Sequence, residues 1–405
     1  MTAIKPILSA MLRSRSGPLL LLAQIILSVA IVANAAFIIQ QRVDLMARPS
    51  GITESESFEF SVFNFGEEMD LFARDERDLE ILRNLPGIKS AAPINMVPLS
   101  GSGWSDRFVD GPDPKNAKSL PQFAFYLSDE ELVNALGLRL VEGRTFHKGQ
   151  VLSGFEDKSI QREAILSQPL AKAFWGEESP IGKVVYQGDD EPITVVGVVE
   201  RLHGAWVDDR NLENSVIMNI DFNGRSPNAG YMIRSEAADI PQLKETIKAA
   251  LLKDEPRRVI RGFSTIAENR EQNYASHAMM VFVLSCMIIL LLVITALGLS
   301  GMVMFNIERR TRQIGTRRAL GATRGNILGW FLTENYLLLG VGALVGSLLA
   351  FELSRQLMDF FSLDALAWQY PAVTVALLFV VTTIAVIIPA RRAAAISPSI
   401  ATRSV

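Results

Sequence analysis

The stretch MMVFVLSCMIILLLVITALGLSGMVMF (279–305) contains no charged side chain. Hydrocarbon offers a peptide group no hydrogen-bond partner, so a helix is what satisfies such a segment in a bilayer, and about 20 apolar residues suffice to cross one. Residues 19–39, 327–350 and 371–390 have the same character, and among the four stretches only 327–350 holds a carboxylate, Glu334. Four transmembrane helices are expected. Composition agrees: 405 residues, 49% hydrophobic, with a formal net charge of −3, leave room for several spans beside a soluble domain.

Basic residues set the orientation, because short segments rich in Lys and Arg stay on the cytoplasmic side. Lys5, Arg13 and Arg15 precede the first span, and Arg309, Arg310, Arg312, Arg317, Arg318 and Arg324 crowd the loop between the second and third. Arg391 and Arg392 follow the fourth, whereas the loop between spans three and four sets Arg355 against Asp359 and Asp364. Both termini and the Arg-rich loop are therefore placed in the cytoplasm, with residues from about Gln41 to Ala278 outside. The alternative, a cleavable signal ending at Ala33-Asn34-Ala35, conflicts with an apolar run that is longer than a signal core and continues through Phe37-Ile38-Ile39. Cys286, the single cysteine, lies within the second span and reads as a small core residue.

The outer segment is charged and punctuated by Gly and Pro, as a water-soluble domain is. Strand-like runs occupy 58–65, 193–199, 215–220 and 231–234. Helices are expected over 75–85, broken by Pro86-Gly87, and over 241–253, with Leu243, Ile247 and Leu251 on one face. Ser128-x-x-Glu131 reads as a capping box opening a short helix that Gly137 closes, and Thr265-x-x-Glu268 as one from which a helix runs into the second span. The first span likewise continues to Ala47, ahead of Pro49. The fold expected is a membrane α-helical protein with a large, two-lobed α+β domain inserted between the first and second spans. Its parts are a cytoplasmic N-terminal segment (1–18), a first span and stalk helix (19–47), the outer domain (48–263), and a second stalk and span (264–305). There follow a cytoplasmic loop (306–326), the third span (327–350), a short outer loop (351–370), the fourth span (371–390) and a cytoplasmic tail (391–405).

Catalytic signatures are missing. The nearest approach to a phosphate-binding loop, Gly176 to Val184, has one residue too many between its glycines and Val184 where a hydroxyl would hold magnesium. His147, His203 and His277 match no metal-ligand spacing, so neither catalysis nor a metal is expected. Polar residues in the spans, among them Gln24, Asn34, Thr295, Asn335 and Thr383, are too scattered for a polar pore. Glu334 either holds the Arg-rich loop or serves ion transport. Gly298, Gly301, Gly342 and Gly346 allow close helix packing, within one subunit or between two.

The loop reads NIERRTRQIGTRRALGATR (306–324), and its apolar Ile307, Ile314, Leu320 and Ile327 suggest a short structured element that docks onto something. It resembles the signature E-R-x-R-E-I-G-x-R-R-A-L-G-A that follows the second span of MacB/FtsX-type ABC permeases, with Gln313 where Glu is usual. The segments 163–167, 174–176, 180–183 and 194–199 are similar to that family's periplasmic core domain, and Pro389-Ala390-Arg391-Arg392-Ala393-Ala394 with Ser397-Pro398 resembles its C-terminal motif. The resemblance implies a non-catalytic permease subunit in the bacterial inner membrane. It binds no cofactor itself and works with a separate ABC ATPase that carries ATP and Mg. The ATPase-coupling residues it implies are Glu308, Arg309, Arg310, Arg312, Gln313, Ile314, Gly315, Arg317, Arg318, Leu320, Gly321, Ala322, Arg391 and Arg392. The implied partners are a second copy or a sister permease, membrane lipid, a periplasmic adaptor and a TolC-like outer-membrane protein, with no nucleic acid. Export by mechanotransmission is the function implied first; lipoprotein extraction of the LolC/LolE kind and FtsX-like signalling to cell-wall hydrolases are the alternatives.

Overall fold

A computed structural model describes residues 16–65, 70–113, 117–187, 189–361 and 365–395. The chain divides into two compact units, one of Met1–Ala47 with Ser276–Val405 and one of Arg48–Ala275. Lys5, Arg13, Arg15, Asp364 and Ser397-Pro398 lie outside the described residues.

Helix α1 (Ser16–Ala47) is 32 residues long and ends where Arg48 precedes Pro49, a position at which helical backbone is disfavoured. The inserted unit then begins with β1 (Ser57–Asn64), α2 (Leu71–Asn84) and β2 (Ile88–Pro93). It continues through β3 (Ser105–Asp106), β4 (Phe123–Ser128), α3 (Leu132–Ala135), β5 (Leu140–Gly143), β6 (Arg162–Ser167) and α4 (Gln168–Trp175). The remaining elements are β7 (Val184–Gln187), β8 (Asp189–Val199), β9 (Ser215–Asn219), β10 (Asn228–Ser235), α5 (Ile240–Asp254) and β11 (Arg258–Thr265).

These form two lobes, each with its own sheet. The first is antiparallel in the order β11-β1-β10-β2. Phe58, Phe60 and Val62 alternate inward from β1 with the two-residue period of a strand, and meet Leu79 and Leu82 of α2 and the Ile240, Leu243, Ile247, Leu251 stripe of α5. The second lobe is a mixed sheet in the order β3-β4-β9-β6-β8-β5, with β7 on β8. Every residue of β4 and β9, which pair in parallel, is buried, as expected for strands covered on both faces. The first lobe is discontinuous in sequence. The second is inserted between β2 and β10, so the chain crosses between sheets twice.

Local signals explain most helix ends. Asp70 Oδ1 accepts the backbone N–H groups of Phe72 and Ala73 at 3.1 Å, capping α2. Thr265 and Glu268 form the reciprocal box, at 2.7 Å and 3.1 Å. Ser128 and Glu131 do not: the Ser128 hydroxyl donates to the Pro93 carbonyl at 2.6 Å, and Glu131 accepts from Ser90 at 2.9 Å. Ser128 is the last residue of a strand, where an unpaired carbonyl on β2 is within reach. Asp129 Oδ1 takes the Glu131 N–H instead, at 2.9 Å. Gly137 closes the turn at φ 65°, as expected.

The membrane unit adds α6 (Ile266–Arg309), α7 (Thr311–Ala319), α8 (Arg324–Phe361) and α9 (Gln369–Ala394). Together with α1, the helices α6, α8 and α9 are the four among the described residues that are long and apolar enough to cross a membrane. α1 packs on α8 through the Gly342-x-x-x-Gly346 stripe, where a Cβ on Gly342 would stand 2.5 Å from Ile25 Cγ2, and one on Gly346 would stand 2.8 Å from Val29 Cβ. Polar rungs join α1 to α6: Gln24 lies against Gly298, Ser28 Oγ meets Thr295 Oγ1 at 2.9 Å, and Arg42 reaches His277 Nδ1 at 3.4 Å. Asn34 Nδ2 donates to the Ala350 carbonyl of α8 at 3.0 Å, and Tyr336 shares a hydrogen bond of 2.8 Å with Thr383 between α8 and α9.

Two expectations are corrected. Cys286 is exposed on α6 rather than in the core, because α6 buries little of its apolar surface within the chain. Gly301 has no described atom within 4 Å of where a Cβ would stand, so it packs no helix here.

Gly346→Leu is expected to lower the unfolding temperature of the detergent-purified protein, at a cost of about 1–3 kcal/mol for overpacking. Gly301→Ala, with space around it, is expected to be neutral or to gain up to about 1 kcal/mol of helix propensity. Scanning fluorimetry in one detergent compares them; equal responses would mean that the α1–α8 contact is not close-packed.

Candidate functional site

Nine residues make a marginal helix in water, so α7 needs anchors. Ile314 supplies one: it is fully buried among Val303 of α6, Ile327 and Phe331 of α8, and Val386, Ala390, Ala393 and Ala394 of α9. Gly315 beside it is buried too. The C-terminal end of α7 is a Schellman turn. Gly321, at φ 94°, donates to the Arg318 carbonyl at 3.2 Å, and Ala322 donates to that of Arg317 at 3.0 Å. Thr323 then caps α8 by accepting the Asn326 N–H at 3.2 Å.

Arginines add the remaining anchors. Arg310 Nη1 meets Glu334 Oε2 at 3.1 Å, both side chains being largely buried. Arg310 and Arg317 both lie against the ring of Trp330, 5.2 and 4.5 Å from its centroid. Arg318 Nη1 donates at 2.9 Å to the Ala394 carbonyl, one of the acceptors a helix leaves open at its C-terminal end, where positive charge is favoured. Arg309 stacks on Phe305 of its own helix at 4.5 Å.

The residues proposed from sequence thus divide by direction. Arg310, Ile314, Gly315 and Arg318 hold α7 to the bundle, with Ala322 partly buried behind them and Arg317, though exposed, stacked on Trp330. Glu308, Arg309, Arg312, Gln313, Leu320, Gly321, Arg391 and Arg392 are exposed. Leu320 is the extreme case, an apolar side chain left 83% exposed at the tip of the turn. Ile307, Ile314 and Ile327 are spent on intrachain packing. Trp330 is the residue that sequence reading missed; its position four before Glu334, on the same helical face, was the available signal.

The other end of α6 is fixed within the inserted unit. Arg270 pairs with Glu54 at 2.5 Å and donates to the Arg48 carbonyl at 2.6 Å. Asn269 Nδ2 and Ser264 Oγ both donate to Glu59 of β1, at 2.8 and 3.1 Å, while burial holds the Glu59 carboxyl above its usual range. His203 is buried nearby. Its imidazole is pushed down to about 3 by burial, then by the charges of Arg270, Arg201 and Arg48, so it stays neutral at physiological pH.

Two family models match the chain: a MacB-like periplasmic core domain over residues 21–250 and an FtsX-like permease C-terminal domain over 285–398. The chain is 26% identical over 282 residues to the uncharacterized ABC transporter permease YknZ of Bacillus subtilis, covering 67% of this chain and 64% of that one. It is 26% identical over 336 residues to the macrolide export ATP-binding/permease protein MacB of Chromobacterium violaceum, covering 77% and 49%. A third relative is the pyoverdine export ATP-binding/permease protein PvdT of Pseudomonas savastanoi pv. phaseolicola, 27% identical over 265 residues, covering 62% and 39%. The chain therefore spans between 39% and 64% of the length of these relatives. Among solved structures it is similar to the periplasmic region of MacB from Actinobacillus actinomycetemcomitans, with a TM-score of 0.33 and 18% identity over 54% of this chain and 94% of that one.

Removing one partner of a buried ion pair strands the other, whereas replacing both with apolar groups does not. Glu334→Leu alone is expected to cost about 3–5 kcal/mol, and Arg310→Met with Glu334→Leu close to nothing. A double-mutant cycle on unfolding in detergent measures this, and additive losses would mean that the two side chains act independently.

Proposed function

The chain belongs to the family of ABC transporter permeases in which a MacB-like periplasmic core domain accompanies an FtsX-like membrane domain, and from this we propose that it is the permease part of a MacB-type ABC transporter, driven by an ABC ATPase. The observation that carries the reading is α7: a short helix pinned to three membrane helices from within, yet presenting cationic residues and one uncovered leucine outward. ATP and Mg belong to the ATPase. Its closure on ATP would press on the outward face, and the anchors would pass that displacement into α6.

Helix α6 suits such transmission. Its 44 residues extend about 66 Å at 1.5 Å per residue, against about 30 Å for the hydrocarbon layer. A stalk built from the excess of α6 and α1 would drive the core domain on the periplasmic side, with both termini and α7 in the cytoplasm of a bacterium with an inner membrane. The Arg-rich segments flanking the spans support that orientation. α6 buries little of its surface within the chain, which leaves its flank open to a second permease, identical or sister, as its neighbour. Export would then be mechanical, handing a substrate taken up in the periplasm to an adaptor and a TolC-like outer-membrane duct.

Leu320→Asp tests the coupling face without disturbing the fold, since the side chain packs on nothing that the substitution would disrupt. Reconstituted with its ATPase, this variant is expected to export at least tenfold less while the permease unfolds at an unchanged temperature. Unaltered export would refute the assignment of this face. Gly315 is a poorer choice, because its burial within the chain means that a bulky residue there would test packing instead.

A further inference from the structure

The two lobes of the inserted domain enclose a cleft of about 510 Å³, within the range of small-ligand sites. Its walls carry Asp75, Glu76 and Glu80 from α2, Asp129 and Glu130 after β4, and Asp221 from the second crossover between sheets. The cations among them are Arg83, which is paired with Asp129, and Lys148. Phe72 supplies an apolar side, with Leu79 and Leu152 buried behind the walls.

Behind the wall, Asn223 holds two of these carboxyl groups at once. Its side-chain amide donates to Asp75 Oδ1 at 2.9 Å, and its backbone N–H donates to Asp221 Oδ1 at 2.9 Å. Asn223 is itself fixed to Gly230 by bonds of 2.9 and 3.1 Å, so its remaining capacity is used. Asp75 is only 2% exposed, and its Oδ2 receives no donor from the protein. Buried like charges oppose one another here. Burial and then the Asp221 charge hold the Asp75 carboxyl well above its usual range, and burial pushes Asp129 up to about 7 against the pull of Arg83. Glu76 faces Asp221 and Glu130 faces Asp129 with the same sign, and Tyr231 of β10 borders Asp75. Arg83 is taken by Asp129, and among the described residues neither Asp75 nor Asp221 has an ion-pair partner.

We propose that the interlobe cleft binds an organic cation, an alkylammonium or guanidinium on an apolar body, whose head is held between Asp75 and Asp221 and whose body lies against Phe72. The cation competes with the proton that the carboxyl pair otherwise shares. Because the folded pKa values are raised, these groups favour the folded state below the ordinary carboxylate range, and that contribution is lost as pH rises through the folded values, about 7 for Asp129. Binding is therefore tighter at pH 8 than at pH 5.5.

The test is thermal unfolding of the full chain in detergent with phenethylammonium chloride, beside sodium chloride of equal ionic strength and neutral 2-phenylethanol. The proposal expects a saturable rise in unfolding temperature at pH 8 that neither control gives, with half-saturation at least tenfold higher at pH 5.5. Asp75→Asn with Asp221→Asn removes the like charges at constant shape and is expected to abolish the response. Glu76→Gln with Glu80→Gln, at exposed positions, is expected to weaken it several-fold and serves if the first variant fails to fold. A second arm uses N-acetyl-Phe-Arg-amide: a response to both probes identifies a free amine as the ligand's source, and a response to the peptide alone identifies a side chain of a protein partner. A rise no greater than that with sodium chloride for both probes, or one that survives the charge-removing substitutions, overturns the proposal.

Discussion

A bilayer interior cannot hydrogen-bond, and every polar group carried into it must find its partner in the protein. In the membrane unit several buried polar groups meet it across helices, with Thr382 Oγ1 an exception. Ser28 is matched to Thr295, Asn34 to the Ala350 carbonyl, Tyr336 to Thr383 and Glu334 to Arg310. Each bond joins two helices that have no hydrophobic reason to prefer each other over lipid, so these partners and the Gly342–Gly346 stripe, rather than apolar burial, decide which helices touch. These four polar residues of the spans are thus structural links, whereas Ser285, Thr333 and Asn335 bond back to carbonyls of their own helices.

The same constraint shapes the inserted domain, because a chain that leaves a span must return to begin the next. The first lobe takes its strands from both ends of the insertion: β1 enters beside α1 in sequence, β11 leads directly into α6, and the two pair antiparallel. The second lobe hangs between them as an excursion from β2 to β10. Departure and return are therefore secured on one sheet. Arg270, Asn269 and Glu59 reinforce this at the point where strand becomes helix.

Features governed by short-range physics were legible in the sequence. Apolar length gave the four spans, the Leu243, Ile247 and Leu251 stripe gave α5, and Thr265 with Glu268 gave the start of α6. Misreadings came where a competitor distant in sequence decided the outcome. Ser128 has the right spacing to cap a helix, but a carbonyl 35 residues away takes its hydroxyl. Strands β2, β4 and β11 passed unnoticed because their pairing partners, rather than any alternation of their own, make them strands. In the loop after α6, sequence indicated an element that docks but not which residues face inward; that depends on Trp330 and on the carbonyl of Ala394, both beyond the motif.

That division of α7 has a mechanical consequence. A loop tethered only by its ends absorbs displacement in its own backbone. α7 is instead tied to α8 through Arg310–Glu334 and Trp330, to α9 through Arg318 and Ala394, and to α6, α8 and α9 together through Ile314. Close-packed side chains transmit strain and resist compression. Under the proposed coupling, a load on the exposed face of α7 would reach three membrane helices at once, and of these only α6 runs without interruption into a strand of the inserted domain.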